Sequence, residues 1–181
     1  MYVASILKKT HQLELYETSN NFPSKFRESE EGQSFKQKLA GALFVKKGNL
    51  SPQFSATDYL GIPTSLDKLT GKFVLINFWA TWCAPCIAEM PILRKIREDF
   101  PTEKLEIISV SYDTDSTKFI NGIKTLQMNW KNIYSNNNLR ILFGDTPIPA
   151  IYLIGPDGVI RFSSWEDEIK MLHKILQTQI K

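Results

Sequence analysis

Residues 73–79 (FVLINFW) and 105–112 (LEIISVSY) form two nearly continuous apolar runs, the first opening after Gly71. Runs of that length and density suit strands buried on both faces. Between them, apolar residues change period. Ile87, Met90, Leu93, Ile96 and Phe100 fall on one stripe of a helix from about Pro85 to Phe100. Pro91 lies inside that pattern and predicts a kink, and Pro101 ends it. Residues 116–128 predict a second helix, with Phe119, Ile120, Ile123 and Leu126 on one side. Two short apolar runs, 151–154 and 159–162, flank Gly155-Pro156-Asp157-Gly158, which signals a hairpin. A last helix is expected over about 166–180, with Ile169, Leu172, Leu176 and Ile180 inward.

Strand, helix, strand, helix, hairpin, helix implies βαβ connection and an α/β fold. The sheet would be covered on both faces and carry an antiparallel edge. Upstream the pattern weakens. Residues 1–48 are polar, with loose helical spacing at Val3, Ile6, Leu7 and Leu13, then a cleaner i, i+4, i+8 repeat at Phe35, Leu39 and Leu43. The patch 19–24 (SNNFPS) reads as a loop. This region predicts an N-terminal helical extension, 1–48, ahead of a main domain, 49–181. Within 49–71, residues 54–59 read as a short strand and 66–69 as one helical turn.

Composition narrows the class. Apolar residues make up 43% of the 181, charged residues 23%, and 22 Lys and Arg against 19 Asp and Glu leave a net +3. That is globular, with too weak a charge to argue for nucleic acid. No run of about 20 apolar residues predicts a membrane span. Residues 1–16 lack the basic, apolar and small-residue order of a signal peptide, so the chain reads as cytosolic or as a mature or trimmed form.

Both cysteines fall in one tetrapeptide, Cys83-Ala84-Pro85-Cys86, after a predicted strand and at the start of a predicted helix. Residues three apart share a helix face, so the two thiols can close a disulfide with little backbone movement. The ring is too small to be a useful tether and suits opening and closing. A helix N-terminus offers free N–H groups and partial positive charge. A Cys83 thiolate would be stabilised there, below the ordinary thiol value of about 8.5. Cys86, one turn in, would be more buried and act second. Pro85 fits the first turn, where a missing N–H costs nothing. Trp82 either shields one side of Cys83 or belongs to the core. A zinc site would need two further ligands, and the two histidines, His11 and His173, lie at opposite ends of the chain without matching spacing. They read as solvated surface residues, and no metal is expected.

The string from Phe78 to Pro91 (FWATWCAPCIAEMP) resembles the active site of thioredoxin-fold proteins of the TlpA/ResA branch, roughly FWAxWCxPCxxExP. The likeness extends to Gly71-Lys72 and to Ile148-Pro149 followed by Gly158, and covers about residues 49–181. It implies a thioredoxin-like fold, a central mixed sheet with helices on both faces. It also implies a thiol–disulfide oxidoreductase without cofactor. Cys83 matches the attacking cysteine, Cys86 the resolving one, and Pro149 a cis-proline. Ile148 would offer its backbone to a substrate strand, and Trp82 would flank the same substrate. Glu89 matches an acidic residue one turn past Cys86. There it would shuttle a proton or raise thiol pKa values, or simply offset the helix dipole. Asn77 stands where thioredoxins proper carry a buried Asp. Implied partners are protein disulfides and a membrane or periplasmic thiol donor. The implied setting is the cell envelope, with reduction as the direction and cytochrome c maturation as one role. Two rivals remain. A peroxiredoxin-like thiol peroxidase would need Thr or Ser at Ala80 and Pro at Ile76, and a non-catalytic docking module would not need both cysteines.

Overall fold

A computed structural model describes residues 13–180, so Val3, Ile6, Leu7 and His11 lie outside the described residues. The chain divides into two compact units. One comprises residues up to 45 together with 137–146, and the other 46–136 with 147–181.

In the first unit, residues 13–18 are helical, and a single turn at Ser24–Arg27 leads to helix α1, Glu30–Phe44. Ser29 caps α1 by accepting the Gly32 N–H at 3.1 Å, and Glu30 and Glu31 in the first turn suit the dipole. Half of the expected loop at 19–24 is a 3-10 turn, Ser19–Asn21.

The second unit holds a small hairpin of β1 (Ser55–Thr57) and β2 (Pro63–Ser65), then the main sheet. Its strands are β3 (Phe73–Trp79), β4 (Leu105–Ser111), β5 (Lys131–Ile133), β6 (Ala150–Ile154) and β7 (Ile160–Ser163). They lie in the order β5-β4-β3-β6-β7. The β3/β4 and β4/β5 pairs are parallel, and the β3/β6 and β6/β7 pairs antiparallel. Every residue of β3, β4 and β6 is buried, as the continuous apolar runs predict. Helices α2 (Ala84–Asp99), α3 (Ser116–Thr125) and α5 (Lys170–Gln179) belong to this unit. Helix α4 (Asn137–Leu142) belongs to the first. The core joins Phe73, Leu75 and Trp79 of β3 to Met90, Leu93 and Ile96 of α2 and to Leu172 and Leu176 of α5.

Several expectations shift. The inward stripe of α2 runs through Cys86, Met90, Leu93 and Ile96, while Ile87 is exposed in the first turn. The helix continues through Pro91, whose ring nitrogen has no proton for the Ile87 carbonyl. Helix α5 starts at Lys170, not near 166, because Glu166 and Asp167 both turn back to the Ser163 carbonyl. His173 is not a freely solvated residue. Its Nε2 lies 2.7 Å from Asp99 Oδ2, and its ring meets Phe100 edge-on.

Candidate functional site

Strand β3 ends at Trp79, and four residues carry the chain to α2. Cys83 is the N-cap of α2, in extended conformation, with Pro85 in the first turn. Its Sγ accepts the Cys86 N–H at 3.3 Å. The two cysteines are joined, with S–S 1.99 Å and Cα–Cα 5.3 Å. A cysteine sulfur therefore occupies the capping place normally held by a Ser or Asp oxygen. A thiolate formed there on reduction meets an N–H donor and the positive end of a 16-residue helix. Cys83 is 5% exposed and Cys86 1%, so the order of burial is as expected. Cys83 is nonetheless less open than expected, because its sulfur turns inward to bond Cys86.

Trp82, which precedes Cys83 in the chain, is 66% exposed, which removes it from the core. Glu89 is half-buried, and its Oε2 is shielded from solvent with no hydrogen-bond partner. Burial raises its pKa above the ordinary 4.5, because the charged form loses hydration there. The Ile148–Pro149 peptide bond is cis, and both residues are half-buried ahead of β6. Asn77 lies in the middle of β3, opposite Ser109 and Ile151, and its side-chain amide donates to Ser109 Oγ at 3.2 Å. The same hydroxyl accepts Trp130 Nε1–H at 2.8 Å, so Asn77 is bound into a neutral buried network.

One residue of the site was not visible in the sequence pattern. Asp113, 2% exposed, follows β4. Its carboxylate accepts the Thr81 N–H at 3.1 Å, the Thr81 hydroxyl at 2.7 Å and the Ser111 hydroxyl at 2.7 Å. It thereby ties down the loop that delivers Cys83. Gly122 of α3 allows the same loop a close approach, since a Cβ there would lie 2.7 Å from Thr81 Cγ2 and 3.1 Å from the Trp79 ring. A lone Asp after a strand gives no signal in sequence, because its partner stands 32 residues away.

A disulfide at a helix N-cap, directly after the central strand of a five-stranded mixed sheet, defines a thioredoxin-fold redox protein. Residues 48–163 match the AhpC/TSA family. The thioredoxin-like protein YneN of Bacillus subtilis is 29% identical over 132 residues, 71% of this chain and 75% of that protein. The thiol-disulfide oxidoreductase ResA of the same organism is 29% identical over 124 residues, 67% of this chain and 69% of that one. Among solved structures, the thioredoxin domain of a thiol-disulfide oxidoreductase from Bacteroides vulgatus superposes with a TM-score of 0.65 at 24% identity, covering 75% of this chain and 99% of that domain. The chain belongs to the AhpC/TSA family, as a thioredoxin-fold thiol–disulfide oxidoreductase of the TlpA/ResA-like branch.

Proposed function

We propose that the chain is a protein-disulfide reductase whose working dithiol is Cys83 and Cys86. The Cys83 thiolate attacks one sulfur of a client disulfide; that S–S bond breaks and the first client sulfur leaves as a thiolate. Cys86, deprotonated, then attacks Cys83 Sγ. The second client thiolate departs, and the electron pair of the dithiol has passed to the client. The observation that carries this reading is the Cys83 sulfur accepting an N–H at the α2 N-terminus while bonded to a more buried Cys86.

Glu89 is the proton carrier for Cys86 in this scheme. A carboxyl with one buried oxygen that has no partner, and a pKa raised by burial, is suited to hold a proton and pass it on. Ile148 and Pro149 would receive an extended client strand by backbone pairing, with exposed Trp82 against its side chains. Reduction as the direction, an envelope location, a membrane or periplasmic thiol donor and apocytochrome c thiols among the clients follow from the TlpA/ResA resemblance. Among the described residues no helix is long and apolar enough to cross a membrane.

The test is insulin-disulfide reduction with dithiothreitol as electron source, run beside hydrogen-peroxide consumption. Insulin reduction that disappears in Cys83→Ser supports the reading. Peroxide consumption without insulin reduction would replace it with a thiol peroxidase, and activity surviving in Cys83→Ser would remove the assigned nucleophile.

A further inference from the structure

We propose that Asp113 is a positioning residue for the second step of disulfide exchange: through Thr81 it keeps Cys83 Sγ within reach of Cys86 while a client is attached. The inference deepens the reductase reading above and rests on it. Every residue it uses belongs to the unit that holds the disulfide.

The chain between β3 and α2 is fastened at successive residues. The Tyr112 N–H donates to the Trp79 carbonyl at 2.8 Å, and the Cys83 N–H donates to the Ala80 carbonyl at 3.1 Å. Between those two bonds, Thr81 gives its N–H to Asp113 Oδ2 at 3.1 Å and its hydroxyl to Asp113 Oδ1 at 2.7 Å. Asp113 is itself fixed. Its Oδ2 accepts the Ser111 hydroxyl at 2.7 Å, and its own N–H donates back to Ser111 Oγ at 2.8 Å. Downstream of Cys83, the Ile87 N–H donates to the Cys83 carbonyl at 3.1 Å and starts α2. The chain neighbours Trp82, Ala84 and Pro85 are exposed, so their side chains do not lock Cys83 by packing. The upstream hold on Cys83 is therefore the turn through Ala80 and Thr81, and Asp113 is its anchor.

While Cys83 and Cys86 are joined, their bond fixes the loop. In the mixed disulfide that bond is open, and Cys83 carries the client. Cys86, deprotonated, must then reach Cys83 Sγ. The Cys83–Cys86 bond forms, the Cys83–client bond breaks, and the client sulfur leaves as a thiolate that takes a proton from water. Such a step is fast in proportion to how well the two reacting sulfurs are held together. The Asp113–Thr81 bonds do not pass through the disulfide, so they hold Cys83 in the open state too. The first attack, on a client arriving from solution, needs no such registration with Cys86. The same tie raises the effective concentration of the two thiols for each other, which favours the closed disulfide over the dithiol.

The test uses the full chain, reduced and mixed with oxidised glutathione below the onset of each variant's melt. The mixed disulfide is followed by acid quenching and mass spectrometry. Its formation in a Cys86→Ser background reads the first step, and its decay with Cys86 present reads the second. Equilibration in glutathione buffers reads the balance of dithiol and disulfide. Asp113→Ala is expected to slow decay at least fivefold and move the balance at least fivefold toward dithiol, with formation within a factor of two. Asp113→Asn, whose amide oxygen can accept both Thr81 donors, should keep all three within a factor of two of wild type. Thr81→Val, which loses one of the two bonds, should slow decay at least twofold, and it decides the matter if Asp113→Ala does not fold. Asp58→Ala controls for a general loss of stability. Asp58 is also a buried carboxylate that holds a turn, accepting the Leu60 and Ile62 N–H groups between β1 and β2. Its loss should leave all three readings within a factor of two. Unchanged decay in Asp113→Ala, equal slowing of formation and decay, an Asp113→Asn variant as slow as Asp113→Ala, or equal slowing in Asp58→Ala each refutes the proposal. Wild-type chain that leaves insulin unreduced overturns the reductase reading instead, and the glutathione measurements then judge Asp113 alone.

Discussion

Cys83 and Cys86 differ by three positions in sequence and by their relation to one helix end. Cys83 caps α2 with its sulfur, whereas Cys86 already has its N–H committed to that sulfur. The difference predicts different failures. Cys83→Ser should abolish client reduction, while Cys86→Ser should accumulate a mixed disulfide with insulin, visible as a band on non-reducing gels. Glu89→Gln should slow resolution of that mixed disulfide on the order of 100-fold, the usual scale of a lost general acid–base group. It should also alter the pH dependence of stability. Because burial raises the Glu89 pKa, the folded state binds its proton more tightly than the unfolded state. Ionising Glu89 therefore costs stability as pH rises past its ordinary 4.5, and below that value the cost is absent. Glu89→Gln should raise Tm slightly at neutral pH, by about 1–2 °C given partial exposure, with no gain near pH 4. An equal gain at both pH values would contradict the burial argument.

Elements place these residues, and some of those elements are legible in the sequence alone. The continuous runs in β3 and β4 announced two-sided burial, and Cys83-Ala84-Pro85-Cys86 at a strand-to-helix junction announced the redox pair. Strand β5 was not legible, because Lys131-Asn132-Ile133 is three residues long without an apolar period. Helix α4 was hidden likewise behind a polar Asn137-Asn138 start and a six-residue span. Ile87 falls on the apolar stripe of α2 yet is exposed, because periodicity does not reveal which edge of a stripe the first turn exposes. Asp113 stayed invisible because its function comes from a contact between elements. Removing it leaves the donors of Thr81 and Ser111 without their acceptor, so Asp113→Ala should cost about 3 kcal/mol and lower Tm by about 6–12 °C. Gly122→Ala sets two effects against each other. Helix propensity favours Ala by about 1 kcal/mol, while crowding of Thr81 and Trp79 opposes it by about 1–3 kcal/mol. A net loss is expected, because the Asp113 bond pins the Thr81 rotamer. In a Thr81→Ser background, which removes the crowded methyl, the same substitution should become neutral or stabilising; thermal melts of the four variants test this.

Across the whole molecule the division of labour is clear. A buried mixed sheet holds still the loop that presents Cys83, and α2 supplies a field that favours a thiolate there. Attack on a client disulfide is fast only if that thiolate is populated at working pH, so the central claim is electrostatic. The most direct measurement is the thiolate absorbance of the reduced chain near 240 nm followed against pH, with Cys86→Ser to isolate Cys83. The account predicts a Cys83 titration well below the free-cysteine value, within roughly 3.5–7.5. A midpoint at or above about 8.5 would contradict it, because the helix end would then give the sulfur no advantage over a free thiol.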